Sequence, residues 1–234
     1  MNLQAIIFGS IGTITETSEL QCAAFNAAFA EAGLDWHWSA EEYQRLVADG
    51  SSGGRERIVT YAASLGATGI DAVALHDRKG ALFQKAMTSG GISANPGVME
   101  TLIKARAAGI ATAMASTTSA ANVNAMFAST APLLTAAMFD VVTNADTVAR
   151  GKPAPDVYLA VLEHLGVSAN AAVAIEDTVQ SAAAPIAAGI VTLIIPGAIA
   201  REQDFGRCPV APSLEAFGGL GAIRALLAYT TAPA

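Results

Sequence analysis

The residues of this 234-residue chain best suited to chemistry are polar groups that directly follow short apolar runs. Glu176 and Asp177 follow Ala172-Val173-Ala174-Ile175. Two adjacent carboxylates repel unless a cation or ligand joins them, which makes Mg²⁺ a natural partner. Lys152 lies in Arg150-Gly151-Lys152-Pro153-Ala154-Pro155-Asp156, where prolines stiffen the bend and orient the ammonium ahead of a helix. Ser116, Thr117 and Thr118 supply three hydroxyls after the run that begins at Ile110. Gly9-Ser10-Ile11-Gly12-Thr13 forms a small-residue loop whose amides could approach an anion. Together these groups suit a phosphate ester held with Mg²⁺. Taken singly, each has a plainer reading: the hydroxyls cap a helix starting near Ala120, and the acids form the charged start of a helix beginning near Thr178.

These groups must be positioned by β-α units. Strands are expected at Ala5 to Phe8, Ile110 to Ala115, Phe139 to Val142, Ala172 to Ile175 and Val191 to Ile195, alternating with helices, which predicts a parallel sheet wrapped in helices. Pro96-Gly97 opens a helix that Gly109 stops, and Pro155 opens one that Gly166 stops. Ligands of such sheets collect beyond the carboxyl ends of the strands, where all four polar groups fall. Between Phe8 and Ile110 only helical patterns occur, so this stretch reads as an inserted helical domain. Capping boxes are expected at Ser18 to Gln21 and Ser39 to Glu42, with further helices at Glu56 to Leu65 and Ile70 to Met87. Gly50-Ser51-Ser52-Gly53-Gly54 separates the helix pairs, as a plain loop or as a flexible tract leading into Arg55.

Composition narrows the partners. Hydrophobic residues make up 53% of the chain and charged ones 14%, which excludes a disordered or fibrous class. A net charge of −7 without a basic cluster disfavours nucleic acid and anionic membranes. Cys22 and Cys208 stand far apart with no metal-ligand spacing around them, as expected of a cytoplasmic protein without a disulfide framework. No basic leader precedes Ala5-Ile6-Ile7-Phe8, and no apolar run approaches membrane-spanning length.

The spacing of Ile6-Ile7-Phe8, Gly12-Thr13, Ser116-Thr117-Thr118-Ser119, Gly151-Lys152-Pro153-Ala154-Pro155-Asp156-Val157-Tyr158 and Ile175-Glu176-Asp177 resembles the haloacid dehalogenase superfamily. Within it, the resemblance is to the CbbY-type, beta-phosphoglucomutase-like branch of sugar-phosphate phosphatases. It implies an α/β fold with a Rossmann-like core at 1–14 and 88–234 and an all-helical cap at 15–87. It also implies phosphoryl transfer through an aspartyl phosphate, using two aspartates in the first loop.

The matching positions here are Gly9 for the nucleophile and Ile11 for the acid/base. Neither side chain can attack phosphorus or move a proton. By the same resemblance Ser116, Thr117 and Lys152 hold the phosphoryl group, and Gly53, Gly54, Arg55 and Arg57 face the substrate. The Ile11 carbonyl, Glu176 and Asp177 are the implied metal ligands, with Mg²⁺ weakened or absent because Gly9 contributes no carboxylate. Gln21 stands where a histidine is expected. The expectation is a protein that binds a small phosphorylated metabolite, of sugar-phosphate type, without the aspartyl-phosphate machinery. Two alternatives stay open: a metal-dependent phosphatase with another nucleophile, such as water activated by Glu176 or Asp177, and a purely structural or interaction protein.

Overall fold

Five short apolar strands build the centre of the molecule, seen in a computed structural model that describes residues 2–9, 11–49, 53–90 and 92–230. Ser10 and the Gly50-Ser51-Ser52 part of the glycine-serine tract lie outside the described residues. The strands are β1 (Ala5–Phe8), β2 (Ala111–Met114), β3 (Val141–Val142), β4 (Ala172–Glu176) and β5 (Val191–Ile194). They form one parallel sheet in the order β3-β2-β1-β4-β5. β1 is central, with Phe8 opposite Met114 on one side and Ile175 on the other. This register brings Gly9, Ala115 and Glu176 to the same sheet edge.

Because the sheet is covered on both faces, its strands are apolar at all positions but Thr112, Glu176 and Thr192, without the usual alternation. Ile6 and Phe8 point into one cluster with Leu102, Met114, Met126 and Ile223. Ala5 and Ile7 point into the other with Val157, Tyr158 and Val161. Only two residues of the third expected strand pair, because Phe139 follows the 3-10 turn Ala136–Met138 and packs edge-on against Phe8 at 5.9 Å.

Eleven helices surround the sheet among the described residues: α1 (Ile11–Ile14), α2 (Ser18–Glu31), α3 (Ala40–Ala48), α4 (Gly54–Ser64), α5 (Ala72–Gly90), α6 (Val98–Ala107), α7 (Ala120–Thr130), α8 (Asp156–Leu165), α9 (Val179–Ala187), α10 (Leu214–Phe217) and α11 (Gly219–Thr230). Gly97, Gly109 and Gly166 have the positive φ that marks these boundaries. The expected box at Ser18 to Gln21 does not form. Thr17 occupies the N-cap position, Ser18 is already helical, and the Gln21 side chain accepts a hydrogen bond from Lys79 instead. At α3, Ser39 accepts from the Glu42 amide, but the Glu42 carboxylate turns to Arg45, so only half the box exists. A complete capping box joins Thr178 and Ser181.

The α2–α5 helices carry their own core of Phe25, Phe29, Trp38, Tyr43, Leu46, Ile58 and Leu75. Asn26 locks the approach to α3, accepting from the Trp38 amide at 2.8 Å and donating to the Trp38 carbonyl at 2.9 Å. Farther along α5, Phe83 and Met87 leave this core and enter the cluster beneath the sheet. Gln180 donates to the Val47 carbonyl at 2.8 Å, and Glu16 accepts from the Ala198 amide at 2.7 Å. These contacts set the helical insert over the carboxyl edge of the sheet. Phe83→Ala is expected to lower unfolding stability by about 3–5 kcal/mol in chemical denaturation, whereas Val59→Ala on the exposed side of α4 should stay within about 0.5 kcal/mol.

Candidate functional site

The loop after β1 leaves the sheet at Gly9, whose amide donates to the Ile175 carbonyl at 2.8 Å. The loop after β2 is fixed by Thr143, whose hydroxyl donates to the Ser116 carbonyl at 2.9 Å and accepts from the Ser116 amide at 2.8 Å. Ser116 is buried, and its own hydroxyl accepts from the Thr118 amide at 3.3 Å. Thr117 lies against Gly151, where an added Cβ would meet its side chain at 3.5 Å. The Gly151-Lys152 bend is thereby seated beside the hydroxyl loop. Ser119 caps α7, so the plainer capping role of this stretch belongs to the fourth hydroxyl, leaving Ser116 and Thr117 for the sheet edge.

Lys152 reaches from this bend to the sheet edge. Its ammonium donates to the Gly9 carbonyl at 2.8 Å and to Glu176 Oε1 at 2.6 Å. The same carboxylate oxygen accepts from the Tyr158 hydroxyl at 2.5 Å. Lys152 keeps 10% of its side chain exposed and Glu176 none. Burial above all, and then the neighbouring Glu176 charge, hold the Tyr158 phenol well above its ordinary pKa, so it remains the donor. Glu176 Oε2 is buried without a hydrogen-bond partner. Asp177 instead turns toward α9 and accepts from the Ser181 hydroxyl at 3.2 Å. Thr178, not either acid, caps that helix, so the simple acidic-cap reading of the pair fails at the cap itself.

Glu176 also occupies the space beside Gly9. A Cβ built on Gly9 would fall closer than 3.0 Å to the Cδ and both oxygens of the Glu176 carboxylate. A side chain at position 9 and the inward Glu176 therefore exclude each other. Ile11, the second aspartate-matching position, opens α1 and is 5% exposed within the cluster that contains Phe8, Phe83 and Met87.

The implied metal does not fit this arrangement. The Ile11 carbonyl accepts from both the amide and hydroxyl of Thr15, at 2.7 and 3.1 Å. One Glu176 oxygen is committed to Lys152 and Tyr158, and Gly9 brings no donor. No group of three or more His, Cys, Asp or Glu side chains that could hold a metal forms among the described residues. The cation paired with Glu176 in this arrangement is the Lys152 ammonium.

On the insert side, the four expected substrate-facing residues separate. Gly53 precedes α4 and Gly54 opens it, and a Cβ at Gly54 would crowd the His76 ring at 2.9 Å, so Gly54 permits close helix packing. Arg55 is exposed and pairs with Glu56 at 3.2 Å. Arg57 turns inward, with its guanidinium over the Tyr43 ring at 5.8 Å and its buried Nε unpartnered.

Sequence reasoning missed Lys79. It lies over the Phe25 and Phe83 rings at 4.7 and 4.8 Å and donates to Gln21. Burial and then Arg57 push its pKa down to about 7. The signal was available: Leu75, Lys79, Phe83 and Met87 recur at i, i+4 along the buried face of α5, and one of the four is a lysine.

A five-stranded parallel sheet with polar loops converging at its carboxyl edge matches known proteins. The family model for haloacid dehalogenase-like hydrolases matches residues 3–189, and the chain belongs to that family. Among its relatives, the protein CbbY of Rhodobacter capsulatus is 40% identical over 207 residues, covering 88% of this chain and 90% of CbbY. A crystal structure of a CbbY mutant from Rhodobacter sphaeroides in complex with xylulose-(1,5)bisphosphate superimposes with a TM-score of 0.85 at 34% identity, covering 94% of this chain and 98% of that one. The fold extends to a beta-phosphoglucomutase of Clostridium difficile, with a TM-score of 0.76 at 18% identity and coverages of 97% and 98%. No helix among the described residues is long and apolar enough to cross a membrane.

Two outcomes follow from the buried charges. Tyr158→Phe removes a donor from a buried carboxylate and should cost about 1.5–3 kcal/mol of unfolding stability, measured by urea titration. Lys79 binds its proton less tightly in the folded chain than an ordinary lysine, whose pKa is 10.5, so the unfolded chain carries more protons between about pH 7 and that value. Stability should therefore rise with pH through this window and level off below about pH 7, where both states hold the proton, with a slope of at most about 1.4 kcal/mol per pH unit. Comparing urea midpoints at pH 6 and pH 9 with those of Lys79→Met isolates this contribution, which should vanish in the variant.

Proposed function

We propose that the chain binds a phosphate ester of a sugar at the carboxyl edge of its sheet and does not form an aspartyl phosphate there. The observation that carries this reading is the convergence of Lys152 on the Gly9 carbonyl, beside the loop of Ser116 and Thr117 packed on Gly151. An ammonium oriented by a stiff bend, next to hydroxyls and loop amides, is chemistry for a phosphoryl oxygen. The complex of CbbY with xylulose-(1,5)bisphosphate supports a sugar phosphate as the ligand class.

In this reading Lys152, Ser116 and Thr117 hold the phosphoryl group. The insert, taken as a cap over residues 15–87 on a core of 1–14 and 88–234, closes over the remainder of the ligand. Arg57, with an unpartnered buried Nε, faces that remainder, and Gly53 and Arg55 border it. Gly9 offers no nucleophile and Ile11 no proton carrier, so bound ester would be retained instead of cleaved. Haloacid dehalogenase phosphatases generally use Mg²⁺, but the donor set described above does not assemble a site for it, and the proposal assigns no step to a metal. A phosphorylated metabolite, not nucleic acid or an anionic membrane, is the partner, in keeping with a net charge of −7.

The test is calorimetric titration with xylulose-1,5-bisphosphate and hexose phosphates, paired with an assay of phosphate release. Binding without release is expected. Lys152→Ala should weaken binding by about 1.5–3 kcal/mol while circular dichroism shows the fold retained. Absence of binding, or turnover by the unaltered chain, would overturn the proposal.

A further inference from the structure

Glu176 stands in a position that a ligand-holding site would not be expected to fill with its own side chain. We infer that its carboxylate is an internal competitor for the anion site, one that must leave before a phosphoryl group can engage Lys152. The inference rests on the reading of that site as a phosphate-ester pocket.

Three observations support it. First, the carboxylate fills the space a side chain at Gly9 would need, so its inward position requires that residue 9 have no Cβ. Secondly, it takes the ammonium directly, at 2.6 Å, and a second anion beside the same ammonium would meet like-charge repulsion across a few ångströms of dry interior. Of the three ammonium donors, two are already used by Glu176 and the Gly9 carbonyl. Thirdly, the inward position is incompletely satisfied. Oε2 is buried with no partner, whereas outside the pocket water would solvate both oxygens. A well-satisfied structural carboxylate would have no such orphan.

The inward carboxylate and a bound phosphoryl group are therefore alternative occupants. The apparent affinity for phosphate is the intrinsic affinity reduced by the fraction of molecules with Glu176 turned in. Anything that expels the carboxylate should unmask Lys152 and tighten phosphate binding.

The experiment uses the full chain, Gly9→Ala and Glu176→Gln, with inorganic phosphate as the calorimetric probe. In parallel, Lys152 is acylated with an amine-reactive ester and its modification followed by peptide mass spectrometry. The alanine Cβ forces the carboxylate out, and the amide removes its charge without changing its shape, so the inference survives if one variant folds poorly. Both are expected to bind phosphate roughly ten- to a hundredfold more tightly and to label faster at Lys152. Equal labelling in all three forms would overturn the inference even if phosphate binds, leaving the pocket reading intact. Faster labelling with no phosphate bound by any form would sink the pocket reading, and the competition with it.

Discussion

The bond between Lys152 and Glu176 ties together segments that are far apart in the chain. Through it, the bend at Gly151, the end of β4 and the exit of β1 share one charged contact, and Tyr158 connects that contact to α8. A buried ion pair of this kind is a poor source of net stability, because desolvating both charges offsets most of their attraction. Its effect is geometric. With Glu176 wholly buried and Tyr158 set among Val157, Val161 and Ala174, the ammonium has little freedom in where it points. The remaining architecture of the sheet edge is consistent with serving this contact: Thr143 fixes the neighbouring hydroxyl loop, and Thr178 caps α9 so that the acids need not.

The helical insert obeys a second constraint, the burial of a lysine among aromatic rings. Lys79 sits between Phe25, in the insert's own core, and Phe83, in the core beneath the sheet. Cation–π attraction and the Gln21 carbonyl offset part of its desolvation, yet burial and Arg57 still oppose its charge. Arg57 carries its charge beside Tyr43, whereas burial opposes the charged forms of both His76 and Lys79.

Much of this was legible in the order of residues. Five apolar runs separated by glycine- and proline-bounded helices announce a parallel sheet, and five strands form, the third reduced to Val141–Val142. Lys152 could be singled out because prolines follow it, and Ser116 because it follows a strand. Capping was less readable: Ser18 and Gln21 have the right spacing, but Gln21 answers a lysine 58 positions away, which no local pattern reports. The partnership of Glu176 with the emptiness at Gly9 was also invisible, since adjacency with Asp177 suggested a shared role. The strand ends at Glu176, and Asp177 lies in the bend that leads into α9, so the two acids take different partners.

The crowding at Gly9 bears on how sequences of this kind can change. Position 9 cannot gain any side chain while Glu176 lies inward, and Ile11 cannot become polar without disturbing the cluster of Phe8, Phe83 and Met87. Substitutions at 9 and 176 are thus coupled: a side chain at 9 requires Glu176 to move or change. A carboxylate introduced at position 9 would therefore meet the Glu176 side chain before it met any ligand, and would be accommodated only together with a rearrangement at 176.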